Sequence, residues 1–412
     1  MRLKDFKRSI GILIIMTLLT AALLATVGEL RAQKVEVVNG VRLVHNKGIG
    51  VWGKKPALKL EPVRKLGDID STDPNTAFYM PAAVALDAAG NIYVLDTGNN
   101  RIQKFSPDGK YLATIGRFGQ GPGEFNYPAW LDIDHAGNLY VTDPFNERLQ
   151  VLKPDGSDLK TIKSSEGRLG NTFVRTDGQL VMGQPTISFR FLGPEEKKPA
   201  SLPKLVKVLD AEGNLVKEFG EMIDLKDELL NNTVNQFLLT VDEKDNVYLA
   251  FPYQNRIEKY SPDGKLLWRA DRELPYSLDI IDKGSIERRE GGVSIRSPRI
   301  NRSSEAVAVD GQGRVWVVTL TRQLKKEEQV GIGVTISQSP SGRQVGFKPQ
   351  GDTELRETDA YKLEVFDPDG VKLAEFPLQQ FVDGIFIFGD RLFLLDRLRG
   401  ASIHEFRIKK KE

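Results

Sequence analysis

The sequence predicts an all-β fold: a six-bladed β-propeller of four-stranded blades, its ring closed by an N-terminal strand that completes the last blade. Internal repetition, period-two alternation and the count of first strands carry this expectation. Residues 81–116, "PAAVALDAAGNIYVLDTGNNRIQKFSPDGKYLATIG", return as residues 128–163. Gly90 and Gly137, and Gly109 and Gly156, each lie 47 positions apart. Weaker copies follow, among them "FLLTVDEKDNVYLAFPYQNRIEKYSPDGKLLWRA" and "GIFIFGDRLFLLDRLRGASIHEFRI". Each copy divides into four short strands, a to d, separated by turn signals such as "AAGN" and "SPDG". Units of this length with four strands match propeller blades, which stack radially and leave only short edges.

Strand a recurs six times, near Ala83, Trp130, Phe173, Phe237, Ala306 and Gly384. The sixth copy ends after three strands. The stretch "LKLEPVRKLG" stands where strand d precedes every later blade. The expected closure therefore pairs residues 62–66 with residues 404–408.

These residues resemble the NHL-repeat propellers, bacterial and secreted or membrane-anchored. The family's "YV.D..N.RI..F...G" pattern is matched in residues 81–105 and 128–152, and "GRFGQGPGEFNYP" between them is typical of bacterial members. The resemblance weakens over residues 237–268 and is faint in blades three, five and six. It implies an architecture; such propellers include protein-binding, RNA-binding, sensor and lyase examples.

Residues 1–33 read as a signal peptide or signal anchor. Lys4, Lys7 and Arg8 precede an uncharged apolar run at 11–28, short for a spanning helix and long enough for either role. The expected location is extracytoplasmic, periplasmic or secreted, with anchoring in the inner membrane if the run is retained. No cysteine is present among 412 residues, so a large core must supply the stability that disulfides give smaller secreted domains. Residues 34–57 are expected to form an accessory hairpin turning at Asn39-Gly40, residues 58–408 the ring, and residues 409–412 a basic tail.

Lys plus Arg (58) nearly balance Asp plus Glu (56), which argues against a nucleic-acid partner. The long connections, residues 183–204, 221–235, 271–304 and 321–360, all fall on the face of the b-to-c and d-to-a connections. Insertions gathered on one face commonly mark a binding face. The expected function is therefore binding of a protein, peptide or glycan there, with Tyr127, Trp130, Asn171, Tyr253, Asn255 and Arg397 as candidate contacts. Trp130 also has a plain reading as inter-blade core.

The alternative is a metal-assisted lyase or lactonase-like hydrolase in the central channel. Asn171, Glu305 and Asp383 would be the calcium ligands; no other cofactor is expected. The histidines, His45, His135 and His404, are too scattered for a zinc site or a serine triad. Asp96 with Arg101, and Asp143 with Arg148, recur at the same spacing, and blade four keeps Arg256 opposite Phe251. A pair repeated in successive blades suits a structural clamp across the b-to-c turn better than a single catalytic centre.

Overall fold

The computed structural model describes residues 33–165, 169–183, 202–289, 292–339 and 342–411. The segment expected to be a signal peptide or anchor, save its last residue, and most of the 183–204 loop lie outside the described residues. No described helix is long and apolar enough to cross a membrane.

Six four-stranded antiparallel units follow one another around the ring. Blade one comprises Ala83–Leu86, Ile92–Asp96, Arg101–Phe105 and Tyr111–Ile115. Blade two comprises Trp130–Ile133, Leu139–Asp143, Arg148–Leu152 and Asp158–Ile162; blade three comprises Thr172–Val174, Leu180–Met182, Val206–Leu209 and Leu215–Phe219. Blade four comprises Leu238–Val241, Val247–Ala250, Ile257–Tyr260 and Leu266–Arg272. Blade five comprises Ser304–Val309, Val315–Leu320, Tyr361–Phe366 and Lys372–Pro377. Blade six comprises Gly384–Phe388, Arg391–Asp396 and Ser402–Lys410, and Leu58–Leu66 supplies its fourth strand. Pro62 lies opposite Phe406 and Leu66 opposite Ile403, and the pairing continues outward to Leu58 opposite Lys410. Lys409 and Lys410, read from sequence as the start of a tail, thus belong to the closing strand.

The a-to-b turns show why these segments fold locally. The Asp87 carboxylate accepts from the backbone N–H groups of Ala89 and Asn91 and from the Asn91 amide at 2.8–3.0 Å. Asp134, Asp242 and Asp310 repeat the two backbone bonds in blades two, four and five. Gly90 has φ +80°, a left-handed backbone that a Cβ would strain.

Adjacent blades share their apolar faces. Phe78, Phe105 and Phe393 join blades six and one, Leu131 and Phe125 join one and two, and Trp268 and Phe366 join four and five. Each fully buried side chain of this size contributes about 1.5–3 kcal/mol.

The N-terminal hairpin, Gln33–Val38 with Val41–Asn46, lies on the outer edge of blade four, where Arg42 to Asn46 run parallel to Trp268 to Arg272. Asn46 is buried and bonds Lys372 N, Asp271 O and Gly370 O, tying blade four to blade five. The chain then follows blade five, donating from Val51 and Trp52 to Lys372 and Leu373 carbonyls, before it enters blade six.

Blades four and five also meet at a buried charge network. Arg272 pairs with Glu364 at 2.7 Å with both side chains fully buried. Lys372 and Lys362 approach Glu364 at 3.1 and 3.3 Å, and Thr319 donates to it at 2.8 Å. Burial alone would raise the Glu364 pKa, but Arg272, Lys372 and Lys362 outweigh it and hold the group at about 2.

Glu364→Ala is therefore expected to lower the unfolding free energy by about 3–5 kcal/mol in urea titration, because it strands two buried cations. In the parent protein this contribution is complete above the ordinary glutamate value of 4.5 and is lost as pH falls towards about 2. An acid titration of Tm that is flat over that window and unchanged by Glu364→Ala would contradict it. Deletion of residues 33–66 removes the closing strand and bares the edge of Ser402–Lys410. The expected result is loss of the monomer peak in size-exclusion chromatography.

Candidate functional site

The long-loop face is crossed by an arm. The b-to-c connection of blade five forms a two-stranded ribbon, Gly331–Ser339 paired with Gly342–Gln350. On this ribbon Phe347 is buried against Tyr127 and Phe145 of blade two, with ring centroids 4.8 and 5.5 Å apart. The Tyr79 hydroxyl of blade one donates to the Phe347 carbonyl at 3.3 Å. Blades two and five stand opposite each other in a six-membered ring, so the arm spans the channel mouth. At its base Arg322 grips Glu328 through two bonds of 2.6 and 2.7 Å, and Thr358 donates to Glu328 at 2.8 Å. Arg322 holds the Glu328 carboxyl down at about 2.

Below the arm the channel is narrowed by aromatic rings. Trp130 lies 5.0 Å from Phe173 of blade three and 5.8 Å from Phe386 of blade six. Since blades two and six flank blade one, Trp130 and Phe386 can meet only over its innermost strand. Trp130 Nε1 is buried without an acceptor. Nearby, Asp132 accepts from Val174 N at 2.8 Å and from Ile133 N at 2.9 Å, satisfying an inner-edge amide of blade three. Burial pushes its pKa up to about 6.

The charged part of the mouth is built by blades four to six. Glu305, at the start of strand a in blade five, pairs through one oxygen with Arg302 at 2.7 Å, while its other oxygen is buried without a donor. The Arg302 side chain is 42% exposed despite lying inside the ring, as expected for a group projecting into an open channel mouth. Its guanidinium faces the Tyr253 ring at 5.9 Å. Asp383, just before strand a of blade six, accepts from Arg397 N at 2.8 Å. Arg399 stacks on Phe381 at 3.5 Å and donates to the Glu328 carbonyl at the base of the arm.

Burial pushes Glu305 up to about 7; Arg302 and Arg399 oppose the shift and Asp383 reinforces it. Burial also draws Arg397 below the usual guanidinium range, with Asp383 opposing. Among the described residues the Arg397 guanidinium has no hydrogen-bond or ion-pair partner, and its Nε is buried without an acceptor.

The residues singled out from sequence therefore separate. Glu305, Tyr253 and Asp383 gather around Arg302 at the mouth, and Arg397 adjoins Asp383. Tyr127 lies under the arm, and Trp130 forms part of the aromatic constriction. Asn255 bonds the backbone N–H and carbonyl of Arg272, so it fixes strand d of blade four instead of facing a ligand. Asn171 accepts from Gly183 through its backbone carbonyl.

The calcium arrangement does not fit. Calcium takes six to eight oxygens, whereas Glu305 and Asp383 lie among three guanidiniums. Among the described residues no group of three or more His, Cys, Asp or Glu side chains could hold a metal. Nor do the histidines meet: His45 bonds Asp271 and Glu36 on the outer hairpin, His135 lies in the a-to-b turn of blade two, and His404 lies in strand c of blade six.

Sequence reasoning missed Arg399, Tyr361 and the reach of the arm. A signal for Arg399 existed: three residues after the strand-b aspartate, blades one and two place Asn99 and Asn146, which bond that aspartate. Blade six places an arginine there.

The recurrent pairs lie away from this cluster. Asp96 accepts from Arg101 Nε at 2.8 Å and from Tyr79 N at 2.7 Å, and Arg101 reaches the carbonyls of Pro74 and Ala77. Asp143 accepts from Arg148 Nε at 3.1 Å and from Asn126 N at 2.9 Å. The pair thus ties each b-to-c turn to the segment leading into its own blade. Arg256 instead stacks on Phe251 at 3.8 Å and approaches Glu258 at 3.5 Å.

A family model, DUF5128, described as a 6-bladed beta-propeller, matches residues 84–263. No curated protein matches the chain. Among solved structures, the chain is similar to a member of the DUF4221 family from Bacteroides vulgatus ATCC 8482, at 11% identity and TM-score 0.53, covering 87% of this chain and 100% of that one. It is also similar to a protein from Bacteroides fragilis NCTC 9343 described as exported, at 13% identity and TM-score 0.52, covering 90% and 100%. A gluconolactonase from Xanthomonas campestris is a fainter match, at 15% identity and TM-score 0.43, covering 84% and 98%. At these identities the likeness shows the fold alone, a six-bladed all-β propeller.

Proposed function

We propose that the protein is an extracytoplasmic binding propeller that holds a protein, peptide or glycan ligand at its long-loop face. The observation that carries this reading is the channel mouth itself. An arm from blade five spans it, and on the same face a half-buried arginine, Arg397, stands beside Asp383 with a buried Nε that has no acceptor among the described residues. Tyr253, facing Arg302, adds aromatic surface of the kind common in ligand sites beside a few polar groups. Placement outside the cytoplasm rests on the basic and then apolar N-terminal sequence.

Replacing residues 331–350 by a short Gly-Ser linker is expected to leave Tm nearly unchanged, since the inter-blade faces that stabilise the ring are untouched. The full-length protein should retain at least one member of a panel of immobilised glycans and peptides, and the armless variant should bind it about tenfold or more weakly. A panel that retains nothing, or an armless variant that binds equally well, would count against the long-loop face as the ligand site.

A further inference from the structure

We propose that residues 11–28 stay in the membrane as an anchor and that the outer edge of blades four and five rests on anionic lipid headgroups, so that the ring stands on its rim. This assignment shares with the binding reading only the placement outside the cytoplasm.

Charge is the first argument. Residues 33–59, the hairpin and the run along blade five, hold six Lys and Arg against a single acid, Glu36, whereas residues 60–412 hold 47 against 53. The near balance of the whole chain hides a basic leading segment laid on an acidic ring. Lys34 pairs with Glu36 at 3.1 Å and Lys59 with Glu61 at 2.7 Å, but Lys47, Lys54 and Lys55 are exposed and have no ion-pair partner among the described residues. Basic groups clustered just outside an anchor are attracted to anionic lipid, each strengthening binding by about fivefold.

Geometry joins these cations to exposed apolar groups at the place where the N-terminal segment arrives. The Gln33 side-chain amide and the Val51 backbone N–H both donate to the Lys372 carbonyl, at 3.1 and 3.0 Å. The start of the hairpin and the run along blade five thus meet at one atom. From there Val35, Val37 and Val38 on the hairpin and Ile49 and Val51 on the run stay exposed, Val37 at 68%. Four residues separate Gly28 from Gln33, and a chain of that length reaches at most about 18 Å. An anchored chain therefore keeps this edge at the headgroup layer, where valines can dip between headgroups and lysines can meet phosphate. Apolar exposure alone does not select the edge: Leu159, on the outer strand of blade two across the ring, is 47% exposed. Because outer strands form the rim, contact there lays the channel axis along the membrane. The long-loop face then opens sideways, clear of the lipid.

The chain has no cysteine, so single-cysteine variants take a bimane label without competition. The full chain is reconstituted into vesicles of phosphatidylcholine with about one-third phosphatidylglycerol and a trace of headgroup-nitroxide lipid. Label at Val37→Cys and at Val51→Cys should be quenched about twofold or more beyond label at Leu159→Cys. Combined Lys47→Glu, Lys54→Glu and Lys55→Glu substitutions, all at exposed side chains, should leave Tm unchanged and reduce that quenching to the Leu159→Cys level, because the ring can then pivot about Gln33. Salt at about 1 M should act in the same direction. Equal quenching at the three positions, quenching unmoved by charge reversal, or a membrane-fraction protein whose N-terminus by mass spectrometry lies at or beyond residue 29 would each overturn the assignment. Crosslinking of Val37→Cys to a second copy without quenching would show that another chain covers the hairpin edge, and would overturn it equally. Retention on the immobilised panel of glycans and peptides judges the ligand site independently of all these outcomes.

Discussion

A toroid of sheets is stable only if it closes, because every blade buries both faces against neighbours and an open ring leaves two faces bare. Here closure is made by Leu58–Leu66 pairing with Ser402–Lys410, so the two ends of the ring are joined by backbone hydrogen bonds within one sheet. The hydrophobic layer between blades six and one, with Phe78, Phe105 and Phe393, exists only once that pairing is made. Other long-range features reinforce the same constraint. Arg64 from the closing strand reaches Glu405 at 2.9 Å, and Arg391 donates both to Glu405 and to the Gly90 carbonyl of blade one. The hairpin outside blade four and the Asn46 bonds bind the leading segment to blades four and five before it reaches blade six.

Blades one and two and the later blades divide the work. The first two carry Asp-Asn-Arg clamps whose donors and acceptors are used within the blade and its own leading segment, which leaves little for a ligand. Blades four, five and six lose that clamp. Arg256 falls back on Phe251, and blade six uses Asp396 to accept from the backbone N–H groups of Arg399 and Gly400, leaving the Arg399 side chain to stack on Phe381 and reach the Glu328 carbonyl. Loss of the repeated structural role is the physical condition for a new one. The long connections enter on the same side of the ring, and the arm runs from the sector where the clamp has gone to the clamped blades one and two.

The channel is thereby graded along its axis. Its middle is narrowed by Trp130, Phe173 and Phe386, whose rings pack on one another from three blades. Its mouth is polar, with charges that nearly cancel. On the proposed binding reading, a ligand approaching from the long-loop side meets the arm first and then the charged mouth. Recognition of the end of a ligand or of a single protruding group fits that geometry better than contact with a broad flat surface.

Blade count, strand order and ring closure were legible in the chain because they follow from local rules. Side chains alternate with period two, aspartate and glycine satisfy the same turn in successive copies, and a three-stranded last copy demands a strand from elsewhere. The functional cluster was only partly legible. Arg397, Glu305, Asp383 and Tyr253 could be placed near one face from strand order, but strand order assigns no neighbours across an axis. That Phe386 reaches past blade one to Trp130, that Phe347 crosses to Tyr127, and that Asn255 turns outward to hold Arg272 depend on how six rigid sheets are set around a common centre. Buried Glu258, Glu364 and Glu405 were hidden for a related reason. A charged residue in an alternating strand reads as solvent-facing until packing brings an arginine against it, from the neighbouring blade for Glu364 and from the same blade for Glu258 and Glu405, and only the folded ring decides which charges acquire such a partner.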